Sequence, residues 1–285
     1  MSAIVKATSL RKKYRSSVAL DDVNFQIEPG RIVGLIGPNG AGKTTALKAM
    51  LGLTSFDGDL TILGMDPMRQ RHKLMDQVCF IADVAVLPRW IKVRQAVEYV
   101  EGVHPRFSRE RAMKFLSQTK IKPESRVKEL SKGMTAQLHL ALVMAIDAKL
   151  LVLDEPTLGL DIIYRKEFYS NLLNDYFDEE RTIIITTHQV EEVEHILTDL
   201  MFIKDGKIVI DASMEDIAER FVEVMVSPDQ ADEARALKPI HERSIFGKFV
   251  FLYDNADALA LAELGEMHNP SIADLFVATM KDQAA

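Results

Sequence analysis

Nine consecutive residues set the architecture of this chain, and they read Gly37-Pro38-Asn39-Gly40-Ala41-Gly42-Lys43-Thr44-Thr45. They fit the phosphate-loop pattern G-x-x-x-x-G-K-[ST]. The mostly apolar residues 31–36 predict a short buried strand before the loop, and residues 46–51 predict a helix that ends at Gly52. Strand, glycine loop and helix N-terminus together make an anion site, because backbone N–H groups and the helix dipole face the phosphates. The stretch predicts a bound nucleoside triphosphate.

The positions within this loop have different expected roles. The backbone of residues 37–42 would curve around the phosphates, and Lys43 would reach the β- and γ-phosphates and take part in catalysis. The Thr44 hydroxyl would ligate Mg²⁺, and Thr45 completes the binding segment. An ordinary glycine-rich turn is the alternative, and the strand and helix patterns on either side argue against it.

Composition bounds the class of protein. The chain has 285 residues, of which 47% are hydrophobic and 27% charged, as in a soluble globular protein. Its net charge of −7 gives no basic character, so we expect no nucleic-acid partner. The single cysteine, Cys79, excludes an internal disulfide. The N-terminus lacks a signal-peptide pattern, and charged residues interrupt the apolar stretch 138–153, so we expect no membrane span.

Apolar patterning predicts an α/β chain that is interrupted by a helical region. Alternation from Ile4 to Ile27 indicates half-buried antiparallel strand structure, whereas residues 84–149 have helical periodicity. Further strands are expected at 59–63, 77–81, 150–153, 182–186 and 201–203, and helices at 68–76, 93–100, 108–119 and 135–148. We therefore expect one domain over residues 1–212 that contains a helical subdomain at about 84–149.

The composition shifts after this region. Residues 213–285 hold 14 acidic and 6 basic residues, whereas the preceding part is nearly neutral. Strands are expected at 221–226, 244–245 and 248–253, and helices at 257–264 and 271–280. This pattern predicts a small C-terminal α/β accessory domain.

Carboxylates and a histidine follow two of the apolar strands. Strand 150–153 ends in Asp154-Glu155, where Asp154 could hold Mg²⁺ and Glu155 could orient or deprotonate the attacking water. His188 follows strand 182–186 in the same way and could stabilise the γ-phosphate. The alternatives are a strand that ends in a polar turn and a structural histidine.

Two further segments could contact nucleotide. Ser131 and Gly133 precede a long predicted helix and could form a second anion site, although a simple helix cap is the alternative. Tyr14 lies 23 residues before Gly37 and could stack on a base, although a residue of this kind, taken alone, is more often an ordinary surface tyrosine.

These motifs, in this order, resemble those of the nucleotide-binding subunits of ATP-binding cassette (ABC) transporters. The resemblance covers roughly residues 4–212. Tyr14 matches the family's adenine-stacking aromatic, and residues 37–45 match its Walker A loop. Residues 130–134 match the signature motif, whereas 150–155 match Walker B with its catalytic glutamate. Residues 156–161 match the D-loop, and His188 matches the switch histidine.

The sequence departs from the family pattern at two places. The signature is usually Leu-Ser-Gly-Gly-Gln, and here Lys132 and Met134 replace its third and fifth residues while Ser131 and Gly133 remain. Asp83 stands where the family's Q-loop has a glutamine. Its carboxylate could approach Mg²⁺ or a water on the ion, but it is shorter and charged.

The resemblance implies a fold, cofactors and partners. The fold is a P-loop NTPase (RecA-like) core with an antiparallel β subdomain, an inserted α-helical subdomain and a small C-terminal α/β extension. The cofactors are ATP and Mg²⁺, held between two subunits in a head-to-tail homodimer or a heterodimer with a second ATPase subunit. Ser131 and Gly133 of one subunit would face the Walker A loop of the other, and hydrolysis through Glu155 would reopen the pair.

The resemblance also implies a place of action. The subunit would pair with a separately encoded membrane permease on the cytoplasmic face of the membrane, and the bacterial export type fits best. Trp90, in an apolar run after Asp83, would be either a contact with the permease or a core residue.

Two alternative functions remain open at this point. One is a soluble ABC-type ATPase outside transport, a class that usually has two cassettes or a long coiled-coil insertion, neither of which occurs here. The other is a regulatory module that binds ATP without hydrolysing it. The presence of Lys43, Asp154, Glu155 and His188 argues against this second alternative.

Overall fold

The computed structural model describes residues 3–15, 17–81 and 87–281. Within them the strands are β1 (Val5–Tyr14), β2 (Ser17–Ile27), β3 (Ile32–Ile36), β4 (Asp57–Ile62), β5 (Val78–Ile81), β6 (Leu150–Asp154), β7 (Thr182–Thr187), β8 (Asp199–Lys204), β9 (Lys207–Ser213), β10 (Phe221–Val226), β11 (His241–Ile245), β12 (Lys248–Asp254) and β13 (Glu266–His268). The helices are α1 (Lys43–Met50), α2 (Arg71–Leu74), α3 (Val93–Val103), α4 (Arg109–Ser117), α5 (Lys132–Met144), α6 (Ile162–Asn171), α7 (Val190–Val193), α8 (Met214–Arg220), α9 (Ala231–Ala236), α10 (Ala258–Ala262) and α11 (Ile272–Met280).

A six-stranded sheet in the order β5-β6-β7-β3-β8-β9 forms the centre of the molecule. Its first five strands are parallel, and β9 pairs antiparallel with β8. The register pairs Asp154 with Thr186 and Ile36 with Thr187. The carboxyl ends of β3, β6 and β7 therefore lie side by side, and the loops that leave them meet at one edge of the sheet.

Alternate residues of these strands enter two different cores. Val33 and Leu35 of β3 pack with α1 and with a three-stranded antiparallel sheet of order β2-β1-β4. Ile32 and Ile36 pack on the other face with the helical region and α6. Every residue of β3, β6 and β7 is buried, as expected for parallel strands covered on both faces. The predicted α/β fold with an antiparallel subdomain and an inserted helical region is confirmed.

The predicted elements and the observed ones differ at identifiable places. The alternation from residue 4 to 27 is two strands, β1 and β2, and the helix predicted over 68–76 is the single turn α2. Helix α5 begins at Lys132, earlier than predicted, because the Ser131 hydroxyl accepts a hydrogen bond from Met134 N–H at 3.2 Å and caps it. No element was expected from the sequence at α6, α8, α9, β9 or β13. Helix α6 buries only Phe168 and Tyr169, so its apolar pattern is weak.

The C-terminal region has its own sheet and core. Strands β11-β12-β10-β13 form an antiparallel sheet in that order. Its core includes Val224, Phe251 and Tyr253 of the sheet and Leu261 of α10. The Tyr253 hydroxyl donates to the Ala234 carbonyl of α9 at 2.8 Å, which ties this helix to the sheet.

The last described helix, α11, leaves that sheet and packs on the central one. Ile272 and Leu275 are buried in the same core as the helical region, and the Phe276 ring meets Phe202 of β8 edge-on at 5.4 Å. The Ile272 N–H donates to the Glu194 carboxylate at 3.4 Å, just beyond α7. The C-terminal region is thus joined to the central sheet by apolar packing as well as by the chain.

A partly buried ionic network connects the C-terminal sheet with α11. Arg243 of β11 donates to Asp274 of α11 at 2.7 Å and to both carboxylate oxygens of Glu223 in β10 at 2.9 and 3.0 Å. Burial raises the pKa of Glu223, while the neighbouring Arg243 guanidinium acts in the opposite direction. Arg243 therefore links α11 to the sheet, because it binds one carboxylate in each of them.

None of the helices among the described residues combines the length and the hydropathy that a bilayer crossing requires.

We expect Leu275→Ala to lower the free energy of unfolding by about 2–5 kcal/mol, because it leaves a cavity where α11 meets the central core. Leu275 is fully buried. Val277, which is 40% exposed on the same helix, offers a matched control, and Val277→Ala should change stability by less than about 0.5 kcal/mol. Urea unfolding of the full chain measures both, and equal midpoints for the two variants would contradict this packing role.

Candidate active site

The phosphate loop follows β3 and needs glycine at two positions. A Cβ on Gly37 would lie 2.3 Å from the Ile203 carbonyl oxygen. Gly42 has a φ of 114°, and a Cβ there would lie 2.5 Å from the Ala19 carbonyl oxygen. Both contacts are with backbone, which cannot move aside as a side chain could. The glycines therefore let the loop pass between the central sheet and β2 before α1 begins.

Lys43 is held over this loop. Its Nζ donates to the Gly37 carbonyl at 2.6 Å and to the Pro38 carbonyl at 3.2 Å, and the residue is buried. Burial lowers the pKa of Lys43, while the charges of Glu155 and Asp154 act in the opposite direction. The ammonium group is thus positioned at the loop backbone, close to two carboxylates.

A polar cleft of about 220 Å³ opens beside the lysine. Its lining, taken over the described residues, is Pro38, Asn39, Gly40, Gly42, Lys43, Thr44, Thr45, Asp154 and Glu155. The structure therefore brings most of the predicted loop residues together with the two carboxylates that end β6.

Asp154 is fixed from two sides. It is buried and accepts hydrogen bonds from the Thr186 hydroxyl at 2.5 Å and from the Thr44 hydroxyl at 3.2 Å. The first contact is short, as expected for a hydroxyl that donates to a carboxylate. The Thr44 and Asp154 oxygens lie side by side at the cleft and are ligands of the kind that hard cations such as Mg²⁺ prefer. The donor set therefore fits the expected ion.

Glu155 adopts an uncommon backbone conformation. Its φ is 49°, in the left-handed region, which costs a non-glycine residue about 1–3 kcal/mol unless its surroundings impose it. Its N–H donates to the Thr186 carbonyl at 3.1 Å, and its carboxylate meets His188 Nδ1 at 2.9 and 3.0 Å. Glu155 and His188 follow different strands in the sequence, and the sheet places them in direct contact.

Tyr14 lies at the end of β1, close to the start of α1. Its hydroxyl is 3.3 Å from Thr54 Oγ1, the Lys12 Nζ is 4.9 Å from its ring centroid, and the side chain is 43% exposed. The Thr54 hydrogen bond lowers its pKa most, and the Thr45 hydroxyl acts in the same direction. The tyrosine is therefore a neighbour of the phosphate loop with part of its surface free.

The predicted signature residues lie elsewhere in the chain. Ser131 is exposed at the N-cap of α5, and Gly133 is in its first turn, near the Gly159 carbonyl. Neither belongs to the lining of the cleft among the described residues. The structure thus brings Tyr14 and the loop, Asp154, Glu155 and His188 together, and leaves Ser131 and Gly133 apart from them.

Two other sequence expectations have different outcomes. Asp83 lies outside the described residues. Trp90 is 71% exposed, so the core alternative for it is wrong. Tyr99 and Val103, both on α3, are exposed as well.

Sequence reasoning missed several residues that hold the site. Thr186 holds Asp154, but within the sequence it is only the polar end of an apolar strand. Arg165 of α6 contacts Gln189, the neighbour of His188, and no motif marks it. Thr157 shares a buried hydrogen bond of 3.3 Å with the Tyr169 hydroxyl. The available signal was the Thr-Thr-His run at 186–188, which places hydroxyls beside the histidine.

Comparison with known proteins gives a consistent result. A family model described as ABC transporter matches residues 20–158. Nod factor export ATP-binding protein I of Cupriavidus metallidurans is 30% identical over 280 residues, which cover 93% of this chain and 90% of that protein. The protein of the same name from Burkholderia thailandensis is 32% identical, with 94% of each chain covered. The ABC transporter ATP-binding protein YtrB of Bacillus subtilis is 24% identical over 226 residues, 79% of this chain and 77% of that protein.

The chain belongs to the ABC transporter family. It is an ATP-binding subunit of such a transporter. The function predicted from the sequence, ATP hydrolysis coupled to transport, is therefore confirmed. The two alternatives, a soluble ATPase outside transport and a module that binds ATP without turnover, are not favoured.

Solved structures of this ABC family share the fold. A structure described as the ATP binding subunit of an ABC transporter superposes with a TM-score of 0.69 at 23% identity and covers 76% of this chain and 92% of that one. A bacterial Atm1-family ABC exporter with ATP bound gives a TM-score of 0.66 at 19% identity, covering 75% of this chain and 40% of that one.

We expect Thr186→Val to lower the rate of ATP hydrolysis by about tenfold or more, because the Thr186 hydroxyl, which donates to Asp154 at 2.5 Å and accepts from the Glu155 N–H at 3.3 Å, is lost. The measurement is steady-state hydrolysis by the purified full chain. Thr182→Val is a matched control, since Thr182 is equally buried at the other end of β7 and bonds Gly30 N–H at 3.1 Å. Both variants should lose about 1–3 kcal/mol of stability, and only the first should lose activity. Equal activity in the two variants would contradict the role of Thr186.

Proposed function

We propose that the chain hydrolyses ATP as the motor subunit of a bacterial export-type ABC transporter, through Lys43, Glu155 and His188. The observation that carries this proposal is the Glu155 carboxylate, which His188 holds at 2.9 Å beside the cleft that contains Lys43 and Asp154. A glutamate held in this way can orient the attacking water and accept its proton. The uncommon φ of Glu155 fits a backbone that is set by function rather than by local preference.

The loop and its neighbours would bind the nucleotide. The backbone of Gly37, Pro38, Asn39, Gly40, Ala41 and Gly42, with the side chains of Lys43, Thr44 and Thr45, forms the proposed phosphate site, and Tyr14 would stack on the adenine. Lys43 needs no large movement to reach phosphate oxygens, because it is already held above the loop carbonyls. His188 would support the Glu155 carboxylate and stabilise charge at the γ-phosphate.

Thr44 and Asp154 would hold Mg²⁺, with Asp83 as a further proposed ligand, direct or through water. The ion, when bound, neutralises charge on the phosphates. The two hydroxyls that donate to Asp154 keep its carboxylate aimed at the cleft.

We propose that two subunits close head to tail around two ATP molecules, as a homodimer or with a second ATPase subunit. Ser131 and Gly133 would contact the nucleotide held by the other subunit, which accounts for their distance from the cleft of their own chain. Leu158 within the D-loop is 49% exposed, and Ile162 and Ile163 just after it are 69 and 66% exposed. An exposed apolar surface of this kind suits burial in such an interface.

We also propose a division of the chain into domains. Residues 1–212 form the ATPase domain, residues 84–149 its helical subdomain, and residues 213–285 an accessory domain. The exposed Trp90, Tyr99 and Val103 of the helical subdomain would contact a separate permease subunit at the cytoplasmic face of the membrane. The two relatives named Nod factor export ATP-binding protein I favour export as the direction.

We expect Glu155→Gln to abolish ATP hydrolysis and to leave ATP-dependent dimers that persist, because the amide keeps the shape of the side chain but cannot accept the proton. Hydrolysis is measured by phosphate release, and dimers by light scattering with and without ATP. Wild-type turnover in this variant would exclude Glu155 as the base.

A second substitution separates binding from assembly. In the Glu155→Gln background, Ser131→Arg should block the dimers, because a bulky cation would fill the site across the interface, while each monomer still binds ATP. Dimers that form normally in this double variant would contradict the proposed head-to-tail arrangement.

The permease partner has its own test. We expect capture of the full chain from gently solubilised native membranes to recover one integral membrane protein in a fixed ratio, and Trp90→Asp to abolish that recovery. Phe246, which is fully exposed at the turn between β11 and β12, gives the control variant Phe246→Asp. Equal loss with both variants, or recovery of soluble proteins alone, would contradict the proposed contact.

A further inference from the structure

Arg165 lies in the first turns of α6 and reaches back to the segment that follows Glu155. Its Nε donates to the Leu160 carbonyl at 2.8 Å, and its own N–H donates to the Asp161 carbonyl at 3.0 Å. Leu160 is buried and closes a tight turn, since its N–H donates to the Thr157 carbonyl at 3.0 Å. The guanidinium therefore holds the far end of the short segment that begins at Glu155.

The same guanidinium also holds the segment that follows His188. Its Nη1 donates to the Gln189 side-chain carbonyl at 3.0 Å and forms an ion pair with Glu192 of α7. The Gln189 N–H donates to the Thr187 hydroxyl at 2.9 Å, so this segment leaves β7 in a fixed direction. One side chain thus contacts both chain segments that carry Glu155 and His188.

The environment makes this contact strong. The side chains of Arg165 and Glu192 are only 21 and 26% exposed, so solvent screens their attraction less than it would at the surface. The Arg165 guanidinium uses its planar fork for a backbone carbonyl, an amide and a carboxylate at once. A lysine at this position keeps the charge but cannot make the three contacts in one plane.

We propose that Arg165 is a positioning residue that keeps Glu155 and His188 in register across their 2.9 Å contact. The proposal rests on the roles of Glu155 and His188 given above. Glu155 and His188 extend from separate strands, and β-pairing alone fixes their backbones only as far as Asp154 and Thr187. Arg165 binds the segments that follow these paired residues, and its contacts there hold Glu155 and His188 near each other.

The test is Arg165→Lys in the full chain. We expect kcat for ATP hydrolysis to fall about tenfold while KM for ATP stays within about twofold, because nucleotide contacts remain and only the contact between Glu155 and His188 loosens. Unchanged kcat, or a rise in KM alone, would overturn the proposal.

Arg181 provides the matched control. It is also largely buried and contacts the Tyr176 carbonyl at 2.7 Å, Asp147 at 2.6 Å and Asp178 at 2.8 Å. It lies just before β7, at the end opposite His188. Arg181→Lys should lower stability as much as Arg165→Lys does and leave kcat unchanged. A similar loss of kcat in both variants would mean that Arg165 acts only through stability.

A double-mutant cycle separates positioning from general support. If Arg165 acts through His188, Arg165→Lys should lower kcat less than about twofold when His188 is already alanine. Equal effects in both backgrounds would overturn the proposal. Gln189→Ala removes one of the two contacts that Arg165 makes after His188 and keeps the ion pair with Glu192. It should therefore lower kcat in the same direction even if Arg165→Lys fails to fold.

Two reference variants, Glu155→Gln and His188→Ala, show whether a failure concerns the proposed function or only the role of Arg165. If Glu155→Gln and His188→Ala both retain wild-type turnover, the roles proposed above for Glu155 and His188 are themselves wrong. If those two variants lose turnover while Arg165→Lys and Gln189→Ala do not, only the positioning role of Arg165 fails.

Discussion

The parallel pairing of β6, β7 and β3 is the constraint from which the site follows. Because Asp154 pairs with Thr186 and Ile36 with Thr187, three loops leave the sheet at one edge and at one level. A slip of one residue in either pairing would turn the strand's alternate side chains to the opposite core and separate the phosphate loop from the carboxylates. Both cores are filled by these same strands, so the packing that stabilises the fold also fixes the register of the site.

Polar contacts fix the side chains that the sheet brings to this edge. Asp154 is buried, and hydroxyls on β7 and α1 compensate its charge. Glu155 has a costly backbone conformation, which its contacts with Thr186 and His188 help to impose. Lys43 is partly desolvated and bonds to the carbonyls of its own loop. Burial of a charge or an uncommon φ is unfavourable on its own, and the surrounding contacts hold each of these groups in such a state. Strained or desolvated groups of this kind are typical of sites for binding or catalysis.

Local patterns were enough to predict the phosphate loop, the strands around it and the residues that end β6 and β7. These features depend on neighbours along the chain, such as an apolar run followed by Asp154-Glu155. The contacts of Thr186, Arg165 and α11 could not be predicted, because each joins segments that are distant in sequence. Helix α6 was missed since two buried aromatics leave little periodicity. Tertiary contacts, rather than propensity, decide these elements.

The position of α11 has a consequence for how the molecule folds. This helix covers Phe202 of the central sheet, yet the whole C-terminal sheet separates the two along the chain. We expect contacts of such long range to form late in folding, because a large loop must close before they are gained. The central core is therefore completed only when the most distal described helix docks. Until that step, its apolar surface, including the face next to α7, is open to chaperones, to proteases and to premature association.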